Sequence, residues 1–392
     1  MKSATWVGKL LLAGLALACT GGIASAQDVI KVGIVSSFSG PFAEYGQQML
    51  GGMKAYMKVH GDTVAGKKIE IVQKDDGGPA PEVAKRLAQE LVTRDNVDVL
   101  AGFGFTPNAL AVAPIATEAK KAMVIMNAAT SIITTKSNDI VRVSMTLPQV
   151  TQPMAIWAAK NGIKKVYTVV ADYGPGLDAE KAFAEAFKKA GGEIVGSVHT
   201  PLQNPDFGPF IQRVKDAKPE AVFLFLPAGA PGIAFMKGYE ERGLKEAGIK
   251  LLATGDITDD TVLDTMGAPA LGLITSFHYS ADHKSPENEA FKKAYVEANG
   301  SKMRPNFMAC AGYDGMALLY EALKKTNGST EGDKLVAAMK GAKWISPRGP
   351  VMIDPETRDI VQTVYIRKVE KVGNELYNVE FDKFPDQKDP GK

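Results

Sequence analysis

Cysteine and histidine are scarce in this chain of 392 residues, which contains two cysteines and four histidines. Because Cys19 falls in an N-terminal segment that we expect to be removed, Cys310 alone would remain and no internal disulfide could form. The histidines show no metal-ligand spacing, and no HExxH or CxxC motif occurs. A G-x-S-x-G nucleophile motif is missing as well. We therefore expect no metal, no cofactor and no enzymatic activity.

The sequence also lacks a large excess of charge of either sign, since 46 basic residues face 44 acidic ones. Removal of the N-terminal segment would take Lys2 and Lys9 with it and make the two numbers equal. A neutral surface offers no electrostatic attraction to nucleic acid or to an anionic membrane. Hydrophobic residues make up 45% of the chain, a value typical of globular proteins, and the length fits two or three domains.

Residues 1–26 have the features of a secretory signal peptide. Lys2 and Lys9 precede the apolar stretch Leu10–Ala18. Small residues follow this stretch and end in Ala24-Ser25-Ala26, which forms an A-x-A cleavage site. The apolar stretch is too short to span a bilayer. Cleavage before Cys19, with lipidation of its thiol, is an alternative, but the residues in front of Cys19 make a poor lipidation motif. We predict a protein exported to the periplasm without a lipid anchor at Cys19.

Short apolar strands alternate with helical segments over most of the chain. The first strand, Val29–Ser36, is rich in β-branched residues, as expected for a strand buried in a parallel sheet. The same alternation begins again near Pro148, which predicts an α/β fold with two doubly wound parallel-sheet lobes. Two long helical segments come next, and beyond Trp344 the residues alternate as they do in antiparallel strands.

The order of these segments predicts that the chain crosses between the lobes several times and forms a hinge. The late helices fit onto the first lobe, and the terminal hairpins fit onto the second. The predicted first lobe comprises residues 28–147 and 282–343, and the second comprises residues 148–281 and 344–384. The polar residues 385–392 are predicted to form a flexible tail.

A glycine motif in the second series has two interpretations. Gly174-Pro175-Gly176-Leu177-Asp178-Ala179 matches G-x-G-x-x-A after a predicted strand, and Glu193 has the spacing of a ribose-binding acid. The glycines could admit a dinucleotide, or they could only be needed where a strand turns sharply into a helix. Asp172 and Asp178 flank the turn and would repel phosphate, so we favour the second interpretation.

Hydroxyl and small residues follow three strands of the first series. They lie in the segments 36–41, 102–108 and 127–131, which contain Ser, Thr, Asn and Gly. Ligands of open α/β sheets bind beyond the carboxyl ends of strands, near helix N-termini, where neutral donors suit a carboxylate. Each segment alone is explained by helix capping, whereas the three together favour a binding crevice.

The second series has comparable strand ends, which include Tyr173, Pro227-Ala228-Gly229 and Asp256. Asp256 could bind an ammonium or another donor of a ligand. It could equally serve as the N-cap of a helix that follows it.

Several segments resemble one known family. The opening VGIVSSFSGPFAEYGQQMLGGMKAYM looks like the amino-terminus of type I periplasmic solute-binding proteins of the leucine/isoleucine/valine-binding class. ALAVAPIATEAKKAMVIMNAATS and AGYDGMALLYEAL are similar to later parts of the same class. The resemblance implies a two-lobed receptor, a monomer, that delivers a small solute to an ABC permease in the inner membrane and performs no chemistry.

The resemblance also implies ligand-binding positions. The family's carboxylate site matches Thr106, Ala128 and Thr130, its second-lobe tyrosine matches Tyr173, and its ammonium-binding acid matches Asp256. The first-lobe aromatic residue of the family matches Tyr45.

One loop departs from the amino-acid binders of this family. Where they show a serine-rich run, this chain has Phe103, Phe105 and Pro107. Relatives that bind benzoate-like acids share this aromatic character, and we therefore include Phe105 among the predicted ligand-binding residues.

We predict a receptor that captures a small apolar or aromatic carboxylate between two lobes by hinge closure. Both a branched-chain amino acid and an aromatic acid stay open as the ligand. A binding protein that feeds a chemoreceptor or kinase is the alternative function, because it would use the same fold.

Overall fold

The structure is a computed structural model that describes residues 1, 28–300 and 303–391. Apart from Met1, the predicted signal peptide, including Cys19, lies outside the described residues. Within the described residues, no helix is both long and apolar enough to cross a bilayer.

The first sheet has six strands in the order β2-β3-β1-β4-β5-β6, and all are parallel except the short β2. In chain order they are β1 (Val29–Ser36), β2 (Thr63–Val64), β3 (Lys67–Asp75), β4 (Val99–Gly102), β5 (Ala122–Ile125) and β6 (Ile140–Arg142). The helices between them are α1 (Ala43–His60), α2 (Pro81–Thr93) and α3 (Thr106–Ala119). β1 lies between β3 and β4, and all of its valine and isoleucine side chains except that of Val29 at its start are buried, as expected for a central parallel strand.

The second sheet has nine strands and mixes directions. Its parallel part consists of β7 (Lys165–Ala171), β8 (Glu193–Thr200), β9 (Ala221–Phe225), β10 (Lys250–Thr254) and β11 (Ile274–Phe277). Its helices are α4 (Leu147–Lys160), α5 (Gly174–Lys189), α6 (Gly208–Ala217), α7 (Ala230–Glu241) and α8 (Leu263–Met266).

Three late helices and four late strands complete the fold. They are α9 (Pro286–Asn299), α10 (Phe307–Lys325), α11 (Gly332–Met339), β12 (Lys343–Ser346), β13 (Gly349–Ile353), β14 (Ile360–Val372) and β15 (Glu375–Gln387). β14 pairs antiparallel with β11 and thereby joins the terminal hairpins to the second sheet. The chain thus passes between the sheets after β6, after β11 and after α11, which gives the two-lobed α/β fold with a multi-crossover hinge.

The late helices pack against the first lobe. α1 crosses α10 so closely that a Cβ on Gly52 would lie 1.9 Å from the carbonyl oxygen of Ala309, and one on Gly312 would lie 2.1 Å from that of Met49. Only glycine allows two helix backbones to approach in this way. This packing supports our proposal that residues 282–343 belong with residues 28–147. The pairing of β14 with β11 supports the assignment of residues 344–384 to the lobe of residues 148–281.

The end of the chain differs from the predicted flexible tail. β15 extends to Gln387, and Oδ1 of Asp389 accepts hydrogen bonds of 2.9 Å from the hydroxyls of Ser131 and Thr146. The polar composition of residues 385–392 suggested solvation. The carboxylate of Asp389 instead finds hydroxyl donors on the first lobe and near its junction with the second.

Candidate functional site

A small cavity lies between the carboxyl ends of the strands of the two sheets. We call it the interlobe cavity. The residues that line it come from both lobes: Tyr45, Gly104, Thr106, Asn127, Ala128, Ala129, Met145, Leu147, Tyr173, Pro175, Phe225, Pro227 and Asp256. The space open to the centre of a water molecule is about 20 Å³, room for about one water, so a larger ligand requires the lobes to move apart.

The first lobe contributes neutral polar groups. The hydroxyl oxygens of Thr106 and Thr130 lie 3.0 Å apart and share a hydrogen bond. The side-chain nitrogen of Asn127 donates to the carbonyl of Gly104 at 2.7 Å, and its Oδ1 is buried without a partner in the structure. A buried amide oxygen without a partner is costly, and a donor on a ligand would satisfy it.

Two long helices begin at the cavity without side-chain caps. α3 begins after Phe105 and α5 begins after Tyr173, and neither of these N-cap residues caps its helix with a side-chain hydrogen bond. The first turn of each helix also lacks an acidic residue. The first N–H groups of a helix have no partner within the helix, and the N-terminus is the positive end of the helix dipole. Two such ends at one cavity suit an anionic ligand.

The second lobe contributes one acid. Asp256 is 5% exposed, and its Oδ2 accepts a hydrogen bond of 2.8 Å from the hydroxyl of Thr254. Burial raises the pKa of the Asp256 carboxyl to about 7, with a smaller rise from Asp259 and opposing contributions from Thr254 and Arg367. The carboxyl can therefore donate or accept a proton near neutral pH.

The alternative role of Asp256 as a helix N-cap is wrong. The helix that follows it, α8, begins at Leu263 with Val262 as its N-cap residue. Asp256 faces the interlobe cavity instead.

Aromatic rings form much of the wall. The ring of Tyr173 stacks on that of Phe225 with centroids 6.1 Å apart, and the ring of Tyr45 stacks on that of Phe105 at 5.1 Å. The hydroxyl of Tyr45 donates to the carbonyl of Ala228 at 3.3 Å and so joins the lobes across the cavity. Burial raises the pKa of both tyrosines well above 10, so both phenols stay neutral.

Of the seven residues predicted to bind ligand, five line the cavity, and the other two contact residues that line it. Phe105 supports the ring of Tyr45, and Thr130 supports the hydroxyl of Thr106. The five residues that line the cavity are Tyr45, Thr106, Ala128, Tyr173 and Asp256.

Some lining residues were missed for identifiable reasons. Met145 and Leu147 follow β6, a three-residue strand that ends in a charged side chain and was not recognised as a strand. Phe225 ends an apolar run in which every residue looks like core. Asn127, Ala129 and Pro227 stand next to residues that were identified, so the strand-end rule applied to whole loops would have found them.

The glycine motif at the start of α5 is explained by packing. A Cβ on Gly176 would lie 1.9 Å from the carbonyl oxygen of Ala171 at the end of β7, and one on Gly174 would lie 2.8 Å from the hydroxyl oxygen of Thr130. Gly174 therefore lets the second lobe approach the first-lobe loop. Asp178 of the same helix accepts a hydrogen bond of 3.0 Å from the backbone N–H of Ser131. Its carboxylate would repel a phosphate at the start of this helix.

Comparison with known proteins agrees with this geometry. Residues 29–374 match the sequence profile of a family described as periplasmic binding protein. The chain is similar to a solute-binding protein of an ABC transporter from Rhodopseudomonas palustris BisB5, solved in complex with 3,4-dihydroxybenzoic acid. The two are 56% identical with a TM-score of 0.89, over 93% of this chain and 99% of that one.

Two further relatives cover the chain equally well. A solute-binding protein of an ABC transporter from Rhodopseudomonas palustris HaA2, solved in complex with p-hydroxybenzoic acid, is 47% identical with a TM-score of 0.91, over 93% of this chain and 99% of that one. Leu/Ile/Val-binding protein homolog 6 of Brucella melitensis is 46% identical over 384 residues, which make up 98% of each chain. With its two lobes and its profile match, this chain belongs to the periplasmic binding protein family, the solute-binding receptors of ABC transporters.

Proposed function

We propose that this chain is the periplasmic receptor for a hydroxylated benzoate and presents it to an ABC permease of the inner membrane. The ligand enters between open lobes and stabilises the closed arrangement because it contacts both. Residues 1–26 direct export, and the mature protein acts as a monomer without catalysing a reaction.

The observation that supports this proposal most is the composition of the interlobe cavity. Its walls include the rings of Tyr45, Tyr173 and Phe225, and these match the flat apolar faces of an aromatic acid. Thr106 and the uncapped ends of α3 and α5 offer neutral donors for a carboxylate. Two similar receptors were solved with 3,4-dihydroxybenzoic acid and p-hydroxybenzoic acid, and each of these ligands has an aromatic ring and a carboxylate.

We assign Asp256 to the phenolic hydroxyl of the ligand. A carboxyl group whose pKa burial raises to about 7 is poorly stabilised as an anion by its surroundings in the protein. A neutral hydroxyl donates to either form of this side chain or accepts from its protonated form, so its binding needs no ion pair.

A branched-chain amino acid is the second candidate ligand. It is favoured by the name of the Brucella melitensis relative and by the position of Asp256, which an α-ammonium would hold in its ionised form. A sensory role, with a chemoreceptor or kinase as partner, would use the same ligand-binding geometry.

Thermal unfolding of residues 27–392 in the presence of single ligands tests the proposal. The panel contains 4-hydroxybenzoate, 3,4-dihydroxybenzoate, benzoate, leucine, valine and phenylalanine. A ligand at about 100 times its dissociation constant should add ~2.7 kcal/mol and raise the melting temperature by several degrees. We expect the largest shift with a hydroxybenzoate. A shift with leucine or valine and none with the benzoates would overturn the aromatic assignment.

A further inference from the structure

Arg142, the last residue of β6, is fully buried behind the interlobe cavity and does not line it. One terminal nitrogen of its guanidinium, Nη1, donates to the carbonyl of Ala128 at 2.9 Å and to that of Thr130 at 2.8 Å. Its Nε donates to Oδ1 of Asp359 at 2.7 Å. Asp359 lies between β13 and β14 in the later part of the chain. A single side chain therefore holds the outer side of the loop that follows β5.

The contact with Ala128 determines where the next N–H group points. In a planar trans peptide the carbonyl and the N–H point in opposite directions. Because the carbonyl of Ala128 points at Arg142, the N–H of Ala129 points away from it. Ala128 and Ala129 both line the interlobe cavity whereas Arg142 does not, which argues that the cavity lies on the side away from the guanidinium.

The peptide group between Thr130 and Ser131 has the same arrangement. The carbonyl of Thr130 also points at Arg142, and the N–H of Ser131 in the same peptide group donates to Asp178 of the second lobe at 3.0 Å. The guanidinium thus directs carbonyls outward and N–H groups toward the cleft at two peptides of one loop.

We propose that Arg142 is a positioning residue for recognition of the ligand carboxylate, which it achieves by aiming the N–H of Ala129 into the interlobe cavity. The inference rests on the proposed function, in that the ligand carries a carboxylate. Asp359 holds the guanidinium in place and balances its buried charge. Arginine suits this role because its planar group offers several donors in a fixed arrangement, whereas a lysine ammonium is a single point charge on a flexible stem.

Arg142→Lys tests this inference, because it keeps the positive charge opposite Asp359 and removes the fixed donors. The measured quantity is the ratio of the dissociation constants of 4-hydroxybenzoate and 4-hydroxybenzaldehyde, which lacks the charged group. A hydrogen bond to a charged group is about twice as strong as a neutral one, and its loss weakens binding about 10- to 100-fold. We expect Arg142→Lys to weaken 4-hydroxybenzoate by about 10-fold or more and the aldehyde by less than about 3-fold.

Arg358→Lys is the control. Arg358 is half-buried and donates to the carbonyls of Ile140, Thr134 and Ser137, and neither these residues nor the ones that follow them line the cavity. We expect this variant to lower the melting temperature without changing the ratio of the dissociation constants. If Arg142→Lys weakens both ligands by the same factor, or behaves as Arg358→Lys does, its role is only structural and the inference is wrong.

Two provisions keep the test decisive. If Arg142→Lys does not fold, Asp359→Asn replaces it. We expect this variant to change the ratio of the dissociation constants in the same direction but by less. An unchanged ratio would overturn the inference. If the wild-type protein binds leucine but no benzoate, the aromatic assignment fails, and the ratio is then measured with leucine and leucinamide. A wild-type protein that binds no carboxylate overturns both proposals.

Discussion

The two lobes contribute different chemistry to the interlobe cavity. The first lobe offers hydroxyl, amide and backbone groups without a charged side chain, at Thr106, Asn127 and Ala128–Ala129. The second lobe offers an acid, Asp256, together with the rings of Tyr173 and Phe225. Under the proposed function, the first lobe and the N-terminus of α5 would recognise the carboxylate, and Asp256 would recognise the hydroxyl at the other end of the ligand.

Removal of the acid should have the largest effect. Asp256→Ala leaves a phenolic hydroxyl buried without an acceptor, which costs about 1–3 kcal/mol and weakens 4-hydroxybenzoate about 10- to 100-fold. Benzoate, which lacks the hydroxyl, should lose less than about 3-fold. Calorimetric titration of both ligands measures the difference.

Asp256→Asn is the matched control, because its amide oxygen still accepts a hydrogen bond. It should bind 4-hydroxybenzoate within about 3-fold of the wild-type protein. Equal losses for benzoate and 4-hydroxybenzoate in Asp256→Ala would show that the second lobe does not recognise the hydroxyl.

Changing the first lobe should affect every carboxylate alike. Thr106→Val removes a hydroxyl that lines the cavity, and we expect about 10-fold weaker binding (~1.4 kcal/mol) of both benzoate and 4-hydroxybenzoate by calorimetry. Thr130→Val is the control, because this hydroxyl bonds Thr106 at 3.0 Å but does not line the cavity. Its effect should be smaller. A larger loss in Thr130→Val would place Thr130, and not Thr106, against the ligand.

The acid should also make the ligand-free protein less stable as pH rises. The folded state holds the pKa of Asp256 at about 7, above its ordinary value of 3.8, so it binds more protons than the unfolded state between these values. Stability from this group is present below the ordinary pKa and is lost as pH rises through 7. Between pH 6 and 7 the loss is about 1 kcal/mol.

Thermal unfolding of the wild-type protein and of Asp256→Asn at pH 6 and pH 7 measures this loss. The variant should lack the contribution of Asp256 and keep that of Asp260, whose pKa burial also raises to about 7. If both proteins change equally between the two pH values, Asp256 does not titrate in this range.

The fold was predictable because its signals are local. Val29–Ser36 is recognisable as a buried parallel strand from its β-branched residues alone, and the repeated alternation of strand and helix implies two lobes. By contrast, β6 has three residues and ends in Arg142, whose charge suggests a surface position. Its burial depends on Asp359, 217 residues later in the chain.

The candidate site was predictable by loop and less so by residue. The strand-end rule identified the loops that contain Thr106, Ala128 and Asp256, because parallel strands bring their carboxyl ends to one edge of a sheet. The rule does not distinguish a side chain that lines a cavity from one that supports it. Phe105 and Thr130 therefore appeared equivalent to their neighbours, although they contact lining residues and do not line the cavity themselves.

The two α/β lobes, the loops at their strand ends and the near balance of 46 basic and 44 acidic residues could be read from the sequence, because they follow from residue composition and from periodicities of a few residues. Tertiary structure alone decided that Arg142 directs the loop at Ala128, that Asp389 joins the chain end to Ser131, and that Asp256 faces the cavity and does not cap a helix. These three features depend on contacts between segments far apart in sequence or on how the lobes are juxtaposed. Their positions are set by the packing of the two sheets, and local sequence patterns do not predict this packing.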